Sequence, residues 1–270
     1  MLLEEIKARI ASGKELPMKQ FSAGRNVCDI GDGKIVKYGF SVRVGEGLAT
    51  RFISENTSIP VPEIFAIATE ELKNDRITCI VEEKIHGTRL LEILPTLDSQ
   101  SASDIAEQLS GFLVQLSSLD HRGSGHVGVI GGSFNETGFF GSWTHFDHRM
   151  PTTTKEFVEY FIDRARRGVS PDKIAKWMST FDFCRPPIFS HGDLVPENIM
   201  VYDGRVTGII DWECAGWYPY FWNHCMGWLA LRRPSCKDSA WKEILPQTIQ
   251  PYEAESSCFS EILFYADIFG

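Results

Sequence analysis

Two apolar runs, Ile199-Met200-Val201 and Val206 to Ile210, flank Asp203-Gly204, and this pattern constrains the fold more than any other stretch of the chain. An Asp-Gly pair between two such runs predicts a hairpin, because both central positions of a tight two-residue turn need positive φ and these residues tolerate it. A hairpin brings its outer ends together. Here those ends are Asn198, just before the first strand, and Asp211, just after the second. Asp193 lies on the loop that feeds the hairpin, within Ser190-His191-Gly192-Asp193.

Chemistry follows from that placement. An amide and a carboxylate at one end of a hairpin can share a hard cation such as Mg²⁺, which prefers oxygen ligands. A second carboxylate on the adjoining loop can face an acceptor hydroxyl. Phosphoryl transfer from ATP needs this set: one carboxylate to orient the attacking hydroxyl, plus an amide and another carboxylate to hold the metal against the phosphates. Each residue taken singly has an ordinary explanation, since an Asp at a strand end commonly caps a loop by accepting backbone N–H bonds. It is the combination that points to phosphoryl transfer.

The block from Ser190 to Glu213 resembles the motif of the aminoglycoside phosphotransferase and choline kinase superfamily. Protein kinases write this loop H-R-D-x-x-x-x-N and follow it with D-F-G. This chain has His191-Gly192-Asp193, Asn198 and Asp211-Trp212-Glu213, which is similar to the small-molecule branch, and Trp212 to Pro219 is similar to the fungal members of that branch. The resemblance implies an α+β, protein-kinase-like fold of two lobes. The N-lobe, 1–85, would hold a five-stranded antiparallel sheet and a helix, and the mainly helical C-lobe, 86–270, the reaction centre. The implied activity is ATP-dependent transfer to a hydroxyl of a small molecule, whether aminoglycoside, amino alcohol or specialised metabolite. Asp193 would be the catalytic residue, with Asn198 and Asp211 on Mg²⁺. His191, at a strand-to-loop junction, reads as a structural residue that fixes backbone and the metal-loop Asp by hydrogen bonds. Glu213 is open to three roles: a second metal, a cationic acceptor, or an internal Arg.

The N-terminal third reads as the smaller lobe. Leu2, Leu3, Ile6 and Ile10 have helical spacing that ends at Gly13, and strands are expected at Lys19 to Ala23, Asn26 to Ile30 and Lys34 to Gly39. Two more, Glu63 to Ala68 and Arg76 to Glu82, complete the sheet. Lys37 is an ammonium in an otherwise apolar strand, which by itself fits an edge position. The resemblance instead assigns it to the nonterminal phosphates, braced by Glu46 near the start of a helix over 44–56. Without the resemblance, Glu46 is a first-turn acid favoured by the helix dipole. The loop with Ser22 and Gly24 reads by its residues as an ordinary turn, and the resemblance implies that it covers the phosphates. The segment from Glu82 to Thr88 is similar to the connector that receives adenine, with Glu83 and Ile85 as contacts and Gly87 as the point where the chain turns into the second lobe.

Beyond residue 89 the pattern is mainly helical, with Ser103 to Leu119, 154–167, 171–181, Tyr220 to Leu231 and Glu253 to Phe269 as helical segments. Phe157, Tyr160, Phe161 and Trp177 read as core. His145, Asp147 and His148 lie close together, but three residues in one tetrapeptide rarely converge on a metal without a distant ligand, and none is assigned. Seven cysteines without a C-x-x-C pair suit reduced, packed thiols. A net charge of -9 argues against nucleic-acid binding and permits a cationic acceptor. No apolar run is long enough to cross a bilayer, and the charged N-terminus does not read as a secretory signal, so a cytoplasmic location is expected. Two rival functions remain. A protein kinase would carry an Ala-Pro-Glu element after Asp211, where this chain has Cys214 to Pro219. A non-catalytic kinase-like module would keep the fold and bind a nucleotide or a partner without turnover.

Overall fold

The computed structural model describes residues 3–15, 24–72, 76–121, 125–130, 151–233, 236 and 240–269. Its N-terminal part is one antiparallel sheet of β1 (Lys14–Glu15), β2 (Asn26–Gly31), β3 (Lys34–Gly39), β4 (Ile64–Glu71) and β5 (Arg76–Glu83), in the order β1-β2-β3-β5-β4. The strand expected at Lys19 to Ala23 falls outside the described residues, and the first strand found lies upstream of it, pairing Lys14 with Asp29. Alternation along the strands gives the sheet two different faces. Cys28, Val36, Cys79 and Val81 pack with Ile6 of helix α1 (Leu3–Ser12) on one face. The register Lys37↔Ile80 and Ile35↔Glu82 places the side chains of Lys37 and Glu82 on the other. Helix α2 (Val44–Asn56) covers part of that face, beside Ile80, Val42 and Ile64.

The rest of the chain is mainly helical. In order it forms β6 (Thr88–Arg89), α3 (Leu90–Ile93), α4 (Ser99–Ser117), β7 (Gly128–Val129), α5 (Thr154–Ala165), α6 (Pro171–Met178), β8 (Ile188–Ser190), β9 (Ile199–Tyr202), β10 (Arg205–Ile209), β11 (Gly216–Tyr218), α7 (Trp222–Ala230), α8 (Trp241–Thr248) and α9 (Glu253–Phe269). The short strands make two three-stranded sheets, β10-β9-β6 and β7-β11-β8. Capping sets several helix starts. Asp98 accepts from Ser101 N–H at 2.7 Å, so α4 begins before the expected Ser103. Thr153 caps α5, and Ser170 followed by Pro171 caps α6.

The hairpin forms as expected. Asp203 and Gly204 have φ of 50° and 71°, the left-handed pair a tight turn requires, and the register runs from Arg205↔Tyr202 to Ile209↔Ile199 with a bulge between Val206 and Gly208. Gly87 enters the larger lobe at φ 131°, where a Cβ would press on the Val201 carbonyl of β9. Two apolar clusters hold this lobe. One joins Ala49 and Ile53 of α2 to α4, the hairpin, Trp212 and Trp241. The other is aromatic and includes Phe157, Tyr160, Phe161 and Trp177 with Trp222 and Phe259. The first cluster matters for the site, because it fixes the helix carrying Glu46 against the lobe carrying Asp211. Among the described residues no helix is long and apolar enough to cross a membrane.

Candidate active site

The open end of the hairpin is closed by the Ile210 N–H, which donates to the Asn198 carbonyl at 2.9 Å. Asn198 therefore sits beside the chain entering Asp211. Asp211 is left-handed, at φ 67° and ψ 57°, a conformation that Asp and Asn tolerate best among residues with a Cβ. Its carboxylate meets Lys37 across the cleft, Nζ to Oδ1 at 2.6 Å, and the same ammonium donates to Glu46 Oε1 at 2.6 Å. Lys37 and Glu46 are 5% and 2% exposed, so their pair is desolvated, while Asp211 is half-buried. Burial disfavours the Lys37 ammonium, but Asp211 and Glu46 outweigh it and raise its pKa. Burial dominates at Glu46, which is pushed up to about 7 against the pull of Lys37.

On the preceding loop, His191 locks backbone. Its Nδ1 accepts from Asp193 N–H at 3.2 Å, so Nε2, 3.1 Å from the Ile210 carbonyl, is the nitrogen assigned the proton. The ring lies 4.5 Å from that of Trp212, whose Nε1 donates to the Ile209 carbonyl. Asn198 Nδ2 donates to the Asp193 carbonyl at 2.8 Å and lies 3.4 Å from Asp193 Oδ2, which turns its Oδ1 away from Asp193. Gly192, at φ 78°, is required where it stands: a Cβ would collide with the carbonyl of Cys214. The loop thus rests directly on the turn that follows Asp211.

Two arginines complete the arrangement, and neither is flagged by any local pattern. Arg233, just beyond α7, places Nη2 2.6 Å from Asp193 Oδ1. Arg25 pairs with Glu213 at 2.5 Å, so of the three roles open to Glu213 the structure displays pairing with an arginine. Glu213 in turn keeps the Arg25 guanidinium protonated against its burial. Gly24, adjacent to Arg25, accepts at its carbonyl from Ser41 N–H at 3.0 Å, while Ser22 lies outside the described residues, as do His145, Asp147 and His148. In the connector, Glu83 N–H donates to the Glu63 carbonyl at 2.9 Å, so any backbone contact from Glu83 to a base falls to its carbonyl. Ile85 packs against Gly208 of β10. Glu82, at the start of the connector expected from the sequence, was not singled out as a contact. It is 8% exposed on the face that carries Lys37, and burial pushes its carboxyl up to about 8.

The donor set suits a hard cation. Carboxylate oxygens of Glu46, Asp211 and Glu213 lie within 4.8 Å of one another. Glu46 and Asp211 share Lys37 as a partner, and Glu213 has Arg25. Burial, with Glu213, Asp193 and Asp211, raises the pKa of the Cys214 thiol and keeps it protonated. A cavity of about 670 Å³ bordered by α7, α8 and α9, lined by His224, Trp228 and Glu253 among others, contains none of these residues.

The profile of the phosphotransferase enzyme family matches residues 48–235, which span Asp193, Asn198, Asp211, Glu213 and Arg233. The chain belongs to the phosphotransferase enzyme family. No curated protein sequence matches it. Solved structures share its fold at low identity. Aminoglycoside phosphotransferase APH(4)-Ia is 13% identical with a TM-score of 0.56, covering 98% of this chain and 96% of that one. The GDP complex of aminoglycoside 2'-phosphotransferase-IIIa is 12% identical with a TM-score of 0.58, covering 97% and 89%. The streptomycin–ATP complex of APH(2")-IIa is 16% identical with a TM-score of 0.53, covering 97% and 86%. The protein-kinase-like, two-lobed fold expected for a member of this phosphotransferase family is the fold found.

Proposed function

We propose that this phosphotransferase moves the γ-phosphoryl group of Mg·ATP to a hydroxyl of a small molecule, with nucleotide held by 1–85 and the reaction centre in 86–270. The observation that carries the reading is the Lys37 ammonium, which is 2.6 Å from both Glu46 and Asp211 while Asn198 ties Asp211's hairpin to Asp193. A cation between two acids is poised to exchange one of them for phosphate oxygens. Asp211 and Asn198 Oδ1 would hold Mg²⁺, which when bound supplies charge neutralisation at the β- and γ-oxygens. Asp193 would orient the acceptor hydroxyl and take its proton, and Arg233 would hold that carboxylate in place. Arg25 and Gly24 would cover the phosphates from the N-terminal side, and Glu83 and Ile85 would border the base.

The family and the folds it resembles support a hydroxyl-bearing acceptor, and the relatives above include one solved with streptomycin. Arg233 puts a positive charge beside the reacting hydroxyl, so an amine-bearing acceptor would have to keep its ammonium groups clear of it. ADP release measured across amino sugars, amino alcohols and hydroxylated metabolites identifies the class. Stimulation by at least one of them is expected. Nucleotide-dependent thermal stabilisation with no ADP release from any acceptor would favour the non-catalytic module instead.

A further inference from the structure

Glu82 is the buried acid that the phosphotransfer scheme does not use. It is the last inward-facing residue of β5, 8% exposed, and its carboxyl makes no hydrogen bond or ion pair among the described residues. An acid taken out of water without such a partner is costly, which makes it a candidate for a ligand contact. Its surroundings offer little relief. Glu46 and Asp211 act on it with like charge, and Lys37, the cation that favours its ionised form, is already held by those two acids. The carboxyl is thereby kept largely neutral near pH 7, able both to accept and to donate.

Position decides what would partner it. On the shared face Lys37 pairs with Ile80 and Ile35 with Glu82, so Glu82 lies two residues along the strand from the phosphate-binding ammonium, about 7 Å at the usual strand rise. It lies on the side where β5 runs directly into the connector, Glu83 to Gly87. A nucleotide whose phosphates reach Lys37 would have its base over Ile35 and Glu82. We propose that Glu82 recognises the base, its carboxyl oxygen accepting from the 6-amino group of adenine, and so makes this chain selective for adenine nucleotides. This rests on reading the cleft as a nucleotide site.

The test uses calorimetric titration of the full chain in Mg²⁺ with three probes: ATP, purine riboside triphosphate, which lacks the 6-amino group, and inorganic tripolyphosphate, which lacks the nucleoside. Wild type should bind ATP about tenfold more tightly than the analogue. Glu82→Leu should lose that difference, with ATP falling to the analogue's affinity and tripolyphosphate unchanged. Glu82→Gln, which keeps an acceptor and a donor, should retain most of the difference. Equal affinities of wild type for ATP and the analogue would overturn the proposal without any variant, as would an undiminished difference in Glu82→Leu. Wild type that binds none of the three would overturn the nucleotide reading itself, an outcome distinct from binding all three alike.

Discussion

Asp193 has one carboxylate oxygen on Arg233 at 2.6 Å and the other 3.4 Å from the Asn198 amide, so its orientation is fixed before any acceptor arrives. Removing its charge while keeping its shape should therefore spare nucleotide binding. Asp193→Asn is expected to reduce kcat by about 10²–10⁴-fold, with the Kd for Mg·ATP, read by calorimetry, within about threefold of wild type. Turnover at the wild-type rate would remove Asp193 from the chemistry. Lys37 is bound to a different outcome, because Glu46 and Asp211 depend on it for charge. Lys37→Ala would leave both acids without their shared cation and should cost about 3–5 kcal/mol of stability, measured by urea unfolding. A midpoint equal to that of wild type would show that the acids do not need the ammonium.

Gly192 ties two elements together, since the loop 190–193 sits on the turn 212–214 with no room for a Cβ. Gly192→Ala combines a positive φ with a backbone collision and should destabilise by about 1–3 kcal/mol, lowering the melting temperature and, by displacing Asp193 against Asp211, lowering turnover as well. A variant with unaltered melting and activity would contradict that packing. At this scale much was legible in the residues: α2 falls on 44–56 as its apolar spacing predicts, and Asp203-Gly204 closes the hairpin. Elements of two or three residues, such as β6, β7 and β11, were not legible, because they are shorter than the span over which alternation can be recognised. Helix α8 was hidden by Pro246, which reads as a breaker yet sits within it, where burial of Trp241, Ile244 and Leu245 outweighs the lost bond. Arg25 and Arg233 were invisible for another reason: each finds its acid across the fold, and no local pattern encodes such a pairing.

Over the whole molecule, the N-terminal sheet and the larger lobe share α2, whose Ala49 and Ile53 belong to the same core as the hairpin and Trp212. The cleft's acids are consequently held close together and out of water, and this should make stability depend on pH. Glu82 is raised from 4.5 to about 8, chiefly by burial, and Glu46 to about 7, again chiefly by burial. The unfolded chain releases these protons near pH 4.5 while the native state keeps them, so the native form binds more protons in between and stability falls as pH rises toward 8. Below 4.5 the contribution is fully present. Glu82→Gln cannot titrate and should flatten the decline in melting temperature between pH 5 and 8, whereas a slope identical to that of wild type would contradict the burial of that acid as a neutral group.

Asp211, reached through the hairpin and facing Lys37, is the proposed meeting point of the metal and the triphosphate. Calorimetric titration of a non-hydrolysable ATP analogue with and without Mg²⁺, in wild type and in Asp211→Asn, measures this directly, since Asn keeps the left-handed backbone while removing the charge. Affinity should rise at least about tenfold with Mg²⁺ in wild type and lose that dependence in Asp211→Asn. Binding in wild type that is indifferent to Mg²⁺, or a Mg²⁺ effect that survives in Asp211→Asn, would contradict it.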